Sequence, residues 1–580
     1  MFKRLALGFI LLIAGCSRPH RKVIVIGVDG MDPGFVERHW SALPHLDALR
    51  RKGTFSRLQT TTPPQSPVAW STFITGLDPD QHGIYDFVHR NPKTHQLFLS
   101  TDKTIDPRFI LPLGPWRIPL SSSHVESLRR GTPFWATLAE RGVPVTIVRI
   151  PANYPPLSKG REIAGMGTPD LRGTQSTFAF YTDDDAVTSH DVSGGLIRRV
   201  SVRDSHVDLA IEGPPNSLRE DHAWSTVSMA VDIDPERSVA RLQVGEEQAV
   251  IQQGEWSDWI PADFPLIPHV VSARGMFRVF AKQLHPHLEL YVSPVNIDPQ
   301  RPALPISYPA SFGKEFGRFY TIGIPEDTSA IRQGVFDLPQ FLSQTNLVLN
   351  DERRMLRNSL DQYRDGFLFF YFSSVDENSH ILWGRHDADL LRIYSAVDAS
   401  IGEVMQREPD ATLIVMSDHG FSTFDRAANL NTWLLEQGLL ARSSNGGIDW
   451  ANTQAYALGL NALYLTGANR EDMKRRLLAW RDPDNGHVVV QAVAETHPAP
   501  NNRDVAPDLI VGYSPGYRAS WATGLGEVPD VDLEDNTDAW IADHCIDPAE
   551  VPGVLFAPKG VAPQQPSLKN LSGAILKLFP

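Results

Sequence analysis

The sequence is poor in cysteine: two in 580 residues, Cys16 and Cys545. That is too few for a disulfide framework, so stability has to come from a buried core and from any ions the chain binds. It also lacks a basic run, and the formal net charge is −14. A nucleic-acid duplex is therefore not an expected partner, although a small phosphorylated molecule stays open. The N-terminal apolar run, Leu5 to Ile13, is too short to cross a bilayer as a mature helix. What is present, 42% hydrophobic and 21% charged residues, suits a large globular α/β domain with one or more insertions.

Lys3 and Arg4 precede that apolar run, which ends at Ala14-Gly15-Cys16. This is the order of a signal peptide. The Leu-Ile-Ala-Gly-Cys ending resembles a bacterial lipobox, which implies cleavage before Cys16 and lipidation of its thiol; ordinary secretion with cleavage nearby is the alternative. Ser17 after the cysteine resembles outer-membrane sorting in a Gram-negative cell. The expected location is thus the bacterial cell envelope, on its periplasmic or extracellular face, with the membrane reached through an N-terminal lipid anchor. Residues 1–16 are read as the leader ending at the lipidated cysteine, and Cys545 is left as the single thiol.

Three distant segments run a hydrophobic strand into an aspartate: Val23 to Asp29, Phe367 to Asp376 and Leu413 to Asp418. Strands apolar on both faces are buried and parallel, and ligands gather at the carboxyl ends of such strands. His380 lies four residues after Asp376, and His419 follows Asp418. Three carboxylates and two imidazoles at one sheet edge make a site for divalent metals.

Around these strands the β-α-β-α order predicts a doubly wound, mostly parallel sheet. Residues 88–128 read as a long loop or small excursion. Between 191 and 314, alternating segments punctuated by Gly213-Pro214-Pro215 and Asp234-Pro235 predict an inserted β-rich cap. The α/β domain is expected over 17–190 and 315–580.

A nucleophile candidate lies in Pro64-Gln65-Ser66-Pro67. Ser66 reads as an N-cap with Pro67 at the first helical position, which puts its hydroxyl at the positive end of a helix. A plain Ser-Pro cap would look the same. His82-Gly83 reads as structural, and Trp256 and Trp259 as core residues of the cap.

Taken together, Val28-Asp29-Gly30, Ser66 before a helix ending Thr75-Gly76, Asp376-x-x-x-His380, Ser417-Asp418-His419-Gly420 and the late Asp543-His544 resemble the alkaline phosphatase superfamily. Within it they are most similar to the type I phosphodiesterase / nucleotide pyrophosphatase-like branch. The resemblance implies two divalent ions, usually zinc, with manganese or iron possible. One would be held by Asp376, His380 and His544, the other by Asp29, Asp418 and His419, with the Ser66 oxygen shared with substrate. For His544 the local sequence leaves Asp543 or Cys545 as alternatives. Arg518 and Trp521 precede it and could contact a leaving group. The implied activity is hydrolysis of phosphate esters, diesters first, on a phosphorylated small molecule, a nucleotide, or an envelope lipid or glycan. A phosphotransferase acting on glycans or lipids and a non-catalytic, metal-stabilised lipoprotein are the competing readings. A sulfatase is disfavoured, because Pro67 follows Ser66 directly and no Cys/Ser-x-Pro-x-Arg motif is present there.

Overall fold

The computed structural model describes residues 20–156, 160–444 and 446–580; the expected leader and Cys16 lie outside them. The largest sheet has eight strands, in the order Thr54–Leu58, Gly553–Ala557, Thr412–Met416, Lys22–Val28, Gly366–Phe372, Val145–Val148, Arg161–Ile163 and Ser307–Tyr308. The five from Thr412–Met416 to Arg161–Ile163 are mutually parallel, and antiparallel strands close both margins.

Past their first residues, Lys22 and Thr412, the strands Lys22–Val28 and Thr412–Met416 carry no polar side chain, as befits strands covered on both faces. Val23, Val25, Phe367, Phe369 and Ile414 pack with Trp70, Phe73, Trp135 and Leu571 from the helices Ser66–Thr75, Phe134–Glu140 and Leu568–Leu576. The alternate residues Ile24, Ile26, Leu368, Phe370 and Val415 pack on the other side with Met355, Leu356, Val397 and Ile401 from Leu338–Gln362 and Asp387–Arg407. The fold is α/β, with a mostly parallel sheet wound on both faces.

Register fixes where the chemistry collects. Val28 pairs with Phe372 and Gly27 with Met416, so the segments holding Asp29, Asp376 and Asp418 leave the sheet side by side. Gly27 has no room for a side chain: a Cβ there would sit 2.7 Å from Trp70 Cη2 and 2.8 Å from Phe369 Cζ. Its absence lets the helix that begins at Ser66 lie close against the strand.

The β-rich insertion has its own apolar core, built on the four-stranded sheet His206–Pro215, Trp224–Asp234, Val239–Val244 and Glu247–Gln252, with a five-stranded and a three-stranded sheet beside it. One of those sheets begins before residue 191, since Phe178–Thr182 pairs with Gly195–Arg199 and Glu289–Val292. Trp256 packs against Phe280, Tyr291 and Phe336, and Trp259 against Tyr320, as core residues do. Residues 88–128 are not an open loop. They form three two-stranded sheets of three- and four-residue strands, too short for alternation to register in sequence.

Candidate functional site

The helix Ser66–Thr75 differs from expectation by one position. Gln65, in extended backbone at φ −103° and ψ 139°, is the N-cap, and Ser66 is the first helical residue. Its hydroxyl still lies at the helix N-terminus, buried, with Oγ 3.1 Å from His419 Nε2 and 3.4 Å from Asp29 Oδ1.

Asp29, one residue beyond its strand, accepts through Oδ2 from Tyr371 Oη at 2.5 Å and Trp70 Nε1 at 2.9 Å. Sequence reasoning missed both donors. Trp70 lies one helical turn after Ser66, and Tyr371 pairs with Gly27, two residues before Asp29, so helical spacing and strand register were the available signals. Asp29 Oδ1 is then free to face His419 Nε2, 3.4 Å away. Asp418 Oδ2 lies 3.2 Å from the same nitrogen, and Asp418 Oδ1 accepts from Gly30 N.

On the other side, Asp376 and His380 share a face of Ser374–Leu382 one turn apart, with His380 Nε2 3.4 Å from Asp376 Oδ2. Asp376 Oδ1 is 3.8 Å from His544 Nε2 and 3.9 Å from His419 Nε2, and the His419 and His544 rings stack with centroids 3.6 Å apart. Donor atoms of Asp29, Asp418 and His419 fall within 4.8 Å of one another, as do those of Asp376, His419 and His544. His380 joins this second group through Asp376.

The three imidazoles are oriented alike. Nδ1 of His380, His544 and His419 lies 2.8, 2.7 and 3.2 Å from the carbonyl oxygens of Ala542, Pro64 and Gly420. A carbonyl only accepts, so Nδ1 carries the proton and Nε2 presents a lone pair. Those lone pairs face carboxylate oxygens, and Asp376 Oδ1 and Asp418 Oδ2 are buried without a hydrogen-bond donor. Acceptors converging on acceptors in a buried site are unfavourable unless a cation lies among them, and a backbone carbonyl behind each imidazole is the usual support of a metal ligand. The residues fit divalent metal ions.

Electrostatics agree. Burial, reinforced by the charge of Asp376, pushes the Asp29 carboxyl up to about 6. Burial pushes Asp376 up to about 7 and His380 down to about 4. It also raises Asp418 well above the usual range and drives His419 well below. For each of these five groups burial favours the uncharged form.

The alternatives to His544 are otherwise engaged. Although Asp543, His544 and Cys545 also bring donor atoms within 4.8 Å, Asp543 accepts from the backbone N–H of His544 and Cys545 and from Arg518 Nε and Trp540 Nε1. The His544 nitrogen nearest Cys545 Sγ is Nδ1, already committed to Pro64. This trio reads as a structural clasp.

A cavity of about 350 Å³ opens beside Asp376, His380 and His544, with Arg518, Trp521 and Glu377 in its wall. Arg518 is buried, lies 4.0 Å from the Trp521 ring centroid, and leaves Nη2 without a partner among the described residues. His82 stands apart from the cluster, bonded to Thr72 Oγ1 and Ile84 N.

The family model described as type I phosphodiesterase / nucleotide pyrophosphatase matches residues 23–217 and 312–529. A venom phosphodiesterase of Crotalus durissus collilineatus is 23% identical over 208 residues, 33% of this chain and 24% of that protein. Another from Macrovipera lebetinus is 24% identical over 213 residues, 33% and 23% of the two chains. The match spans about a quarter of the length of these relatives. Among solved structures, phosphonoacetate hydrolase from Sinorhizobium meliloti 1021 in complex with phosphonoacetate aligns at TM-score 0.47 and 13% identity, over 97% of this chain and 96% of that one. Murine ectonucleotide pyrophosphatase / phosphodiesterase 5 aligns at 0.41 and 11%, over 96% and 95%.

Proposed function

The chain belongs to the type I phosphodiesterase / nucleotide pyrophosphatase family of the alkaline phosphatase superfamily, and from that premise we propose that it is a metal-dependent phosphodiester hydrolase with Ser66 as nucleophile. The observation that carries this reading is the set of inward imidazole lone pairs facing donorless carboxylate oxygens around one buried hydroxyl. Asp29, Asp418 and His419 would hold one divalent ion and Asp376, His380 and His544 the other. Mixed oxygen and nitrogen donors suit zinc first, then manganese or iron. Such a pair supplies positive charge to the attacking and leaving oxygens of an in-line displacement.

The chain's own residues do the rest. Asp29 and His419 hold the Ser66 hydroxyl in place, and its proton passes to water as the oxygen attacks. The Ser66 Oγ–phosphorus bond forms as the bond to the leaving alcohol breaks, and water then releases the phosphoryl group and restores Ser66. Arg518 Nη2 and Trp521 would meet the substrate from the cavity wall. The substrate class is a phosphorylated small molecule, a nucleotide, or an envelope lipid or glycan. The expected anchor at Cys16 would put the reaction at the bacterial cell envelope.

The test compares bis(p-nitrophenyl) phosphate with p-nitrophenyl phosphate. The diester should be the faster substrate, and Ser66→Ala should lower turnover by roughly 10³-fold or more with bound metal near the wild-type level. Full activity in Ser66→Ala would remove the nucleophile from the account, and a strong monoester preference would overturn the diesterase reading.

A further inference from the structure

One hairpin contributes no residue to the metal cluster or to the cavity beside it. Within residues 88–128, Ile110–Leu113 and Trp116–Pro119 form a separate two-stranded hairpin. We propose that this hairpin, Arg108 to Leu120, docks the protein on the surface of an anionic lipid bilayer. The proposal is independent of whether Ser66 is the nucleophile.

Cross-strand partners share a face of a hairpin, and so do residues two apart. Leu111 pairs with Ile118 and Leu113 with Trp116, while Leu120 N donates to Phe109 O. Phe109, Leu111, Leu113, Trp116, Ile118 and Leu120 therefore form one face with no polar side chain. Four of them are held in water: Phe109 is 57% exposed, Leu111 50%, Leu113 64% and Leu120 66%. The opposite face carries Ile110, Arg117 and Pro119, which together with Leu120 at the hairpin's end line a cavity of about 1340 Å³; Phe109, Leu111, Leu113, Trp116 and Ile118 are not in its lining.

The hairpin is braced against the insertion. Arg117 N donates to Leu218 O, Arg117 Nη1 lies 2.6 Å from His222 Nε2, and Trp116 bridges to Arg219. Bracing keeps the apolar side chains from folding back, and sustained exposure of such a patch marks an interaction site.

Charge and area choose the partner. Arg108 to Leu120 hold no acid in a chain of net charge −14, and of their two arginines Arg117 is turned to His222 on the opposite face, which leaves Arg108 beside the apolar one. Arg108 lies beside the Phe109 ring, where its guanidinium can reach a phosphate while the ring enters the acyl boundary. Strands about 4.8 Å apart, rising about 3.3 Å per residue, present only a few hundred Å². A stable protein interface needs roughly 800 Å² per partner, whereas interfacial insertion needs side chains to reach only about 5–10 Å into the bilayer.

The test uses the full chain carrying Cys16→Ser, which cannot be acylated, with vesicles of phosphatidylglycerol and phosphatidylcholine. Phe109→Ser/Leu111→Ser/Leu113→Ser in that background should lower vesicle affinity on the order of 100-fold, with the unfolding midpoint unchanged. An environment-sensitive dye at Leu113→Cys should shift to the blue on these vesicles, and the same dye at Val250→Cys should not. Equal binding of parent and triple variant, or no shift at position 113, overturns the proposal. Hairpin-dependent self-association without vesicle binding also overturns it, in favour of a contact between copies.

Discussion

Asp29 is held by residues that need not touch a substrate. Tyr371 and Trp70 occupy its Oδ2, which turns Oδ1 toward Ser66 and His419. A donated hydrogen bond to a buried carboxylate contributes about 1.5–3 kcal/mol, and loss of a group that orients a metal ligand typically costs about 10–100-fold in metal affinity. Tyr371→Phe should therefore weaken divalent-ion binding by that factor in a chelator competition while preserving the fold by circular dichroism. Unchanged affinity would show that Asp29 needs no such support.

At the scale of elements, the contact that positions Ser66 is helix against strand at Gly27. A Cβ at residue 27 would meet two rings below 3 Å, so Gly27→Val has to push the helix Ser66–Thr75 outward or displace Phe369. Overpacking of this kind costs about 1–3 kcal/mol. Urea unfolding should show that loss, and turnover should fall further than in Gly27→Ala. A valine variant as stable and active as wild type would mean that the helix is not held by this packing. The central strands were legible because unbroken apolar runs have one reading in a sheet covered on both faces, and much of the insertion because its strands alternate. The antiparallel sheet of Ala455–Ala457, Ala462–Leu465, Leu509–Tyr513 and Val490–Glu495 was mostly missed. Two of its strands are three or four residues long and alanine-containing, and Ala462–Leu465 pairs with Leu509–Tyr513, almost fifty residues on. Ser66 was misplaced by one position because Gln65 gives no capping signal of its own.

Over the whole molecule, the candidate site depends on segments more than 500 residues apart. Asp29, Asp376 and Asp418 could be read from strand ends, and His380 and His419 from their spacing to those acids. His544 could not. It follows the two-residue strand Ala542–Asp543, whose pairing with Ser422 and Thr423 returns the chain to His419, and no local pattern announces so short a ladder. The family match itself stops at residue 529. The measurement that bears most directly on the account is anomalous diffraction from crystals grown with zinc and vanadate. It should show two metal peaks, one among Asp29, Asp418 and His419 and one among Asp376, His380 and His544, with vanadium bonded to Ser66 Oγ. A single peak elsewhere, or vanadate bound away from Ser66, would contradict it.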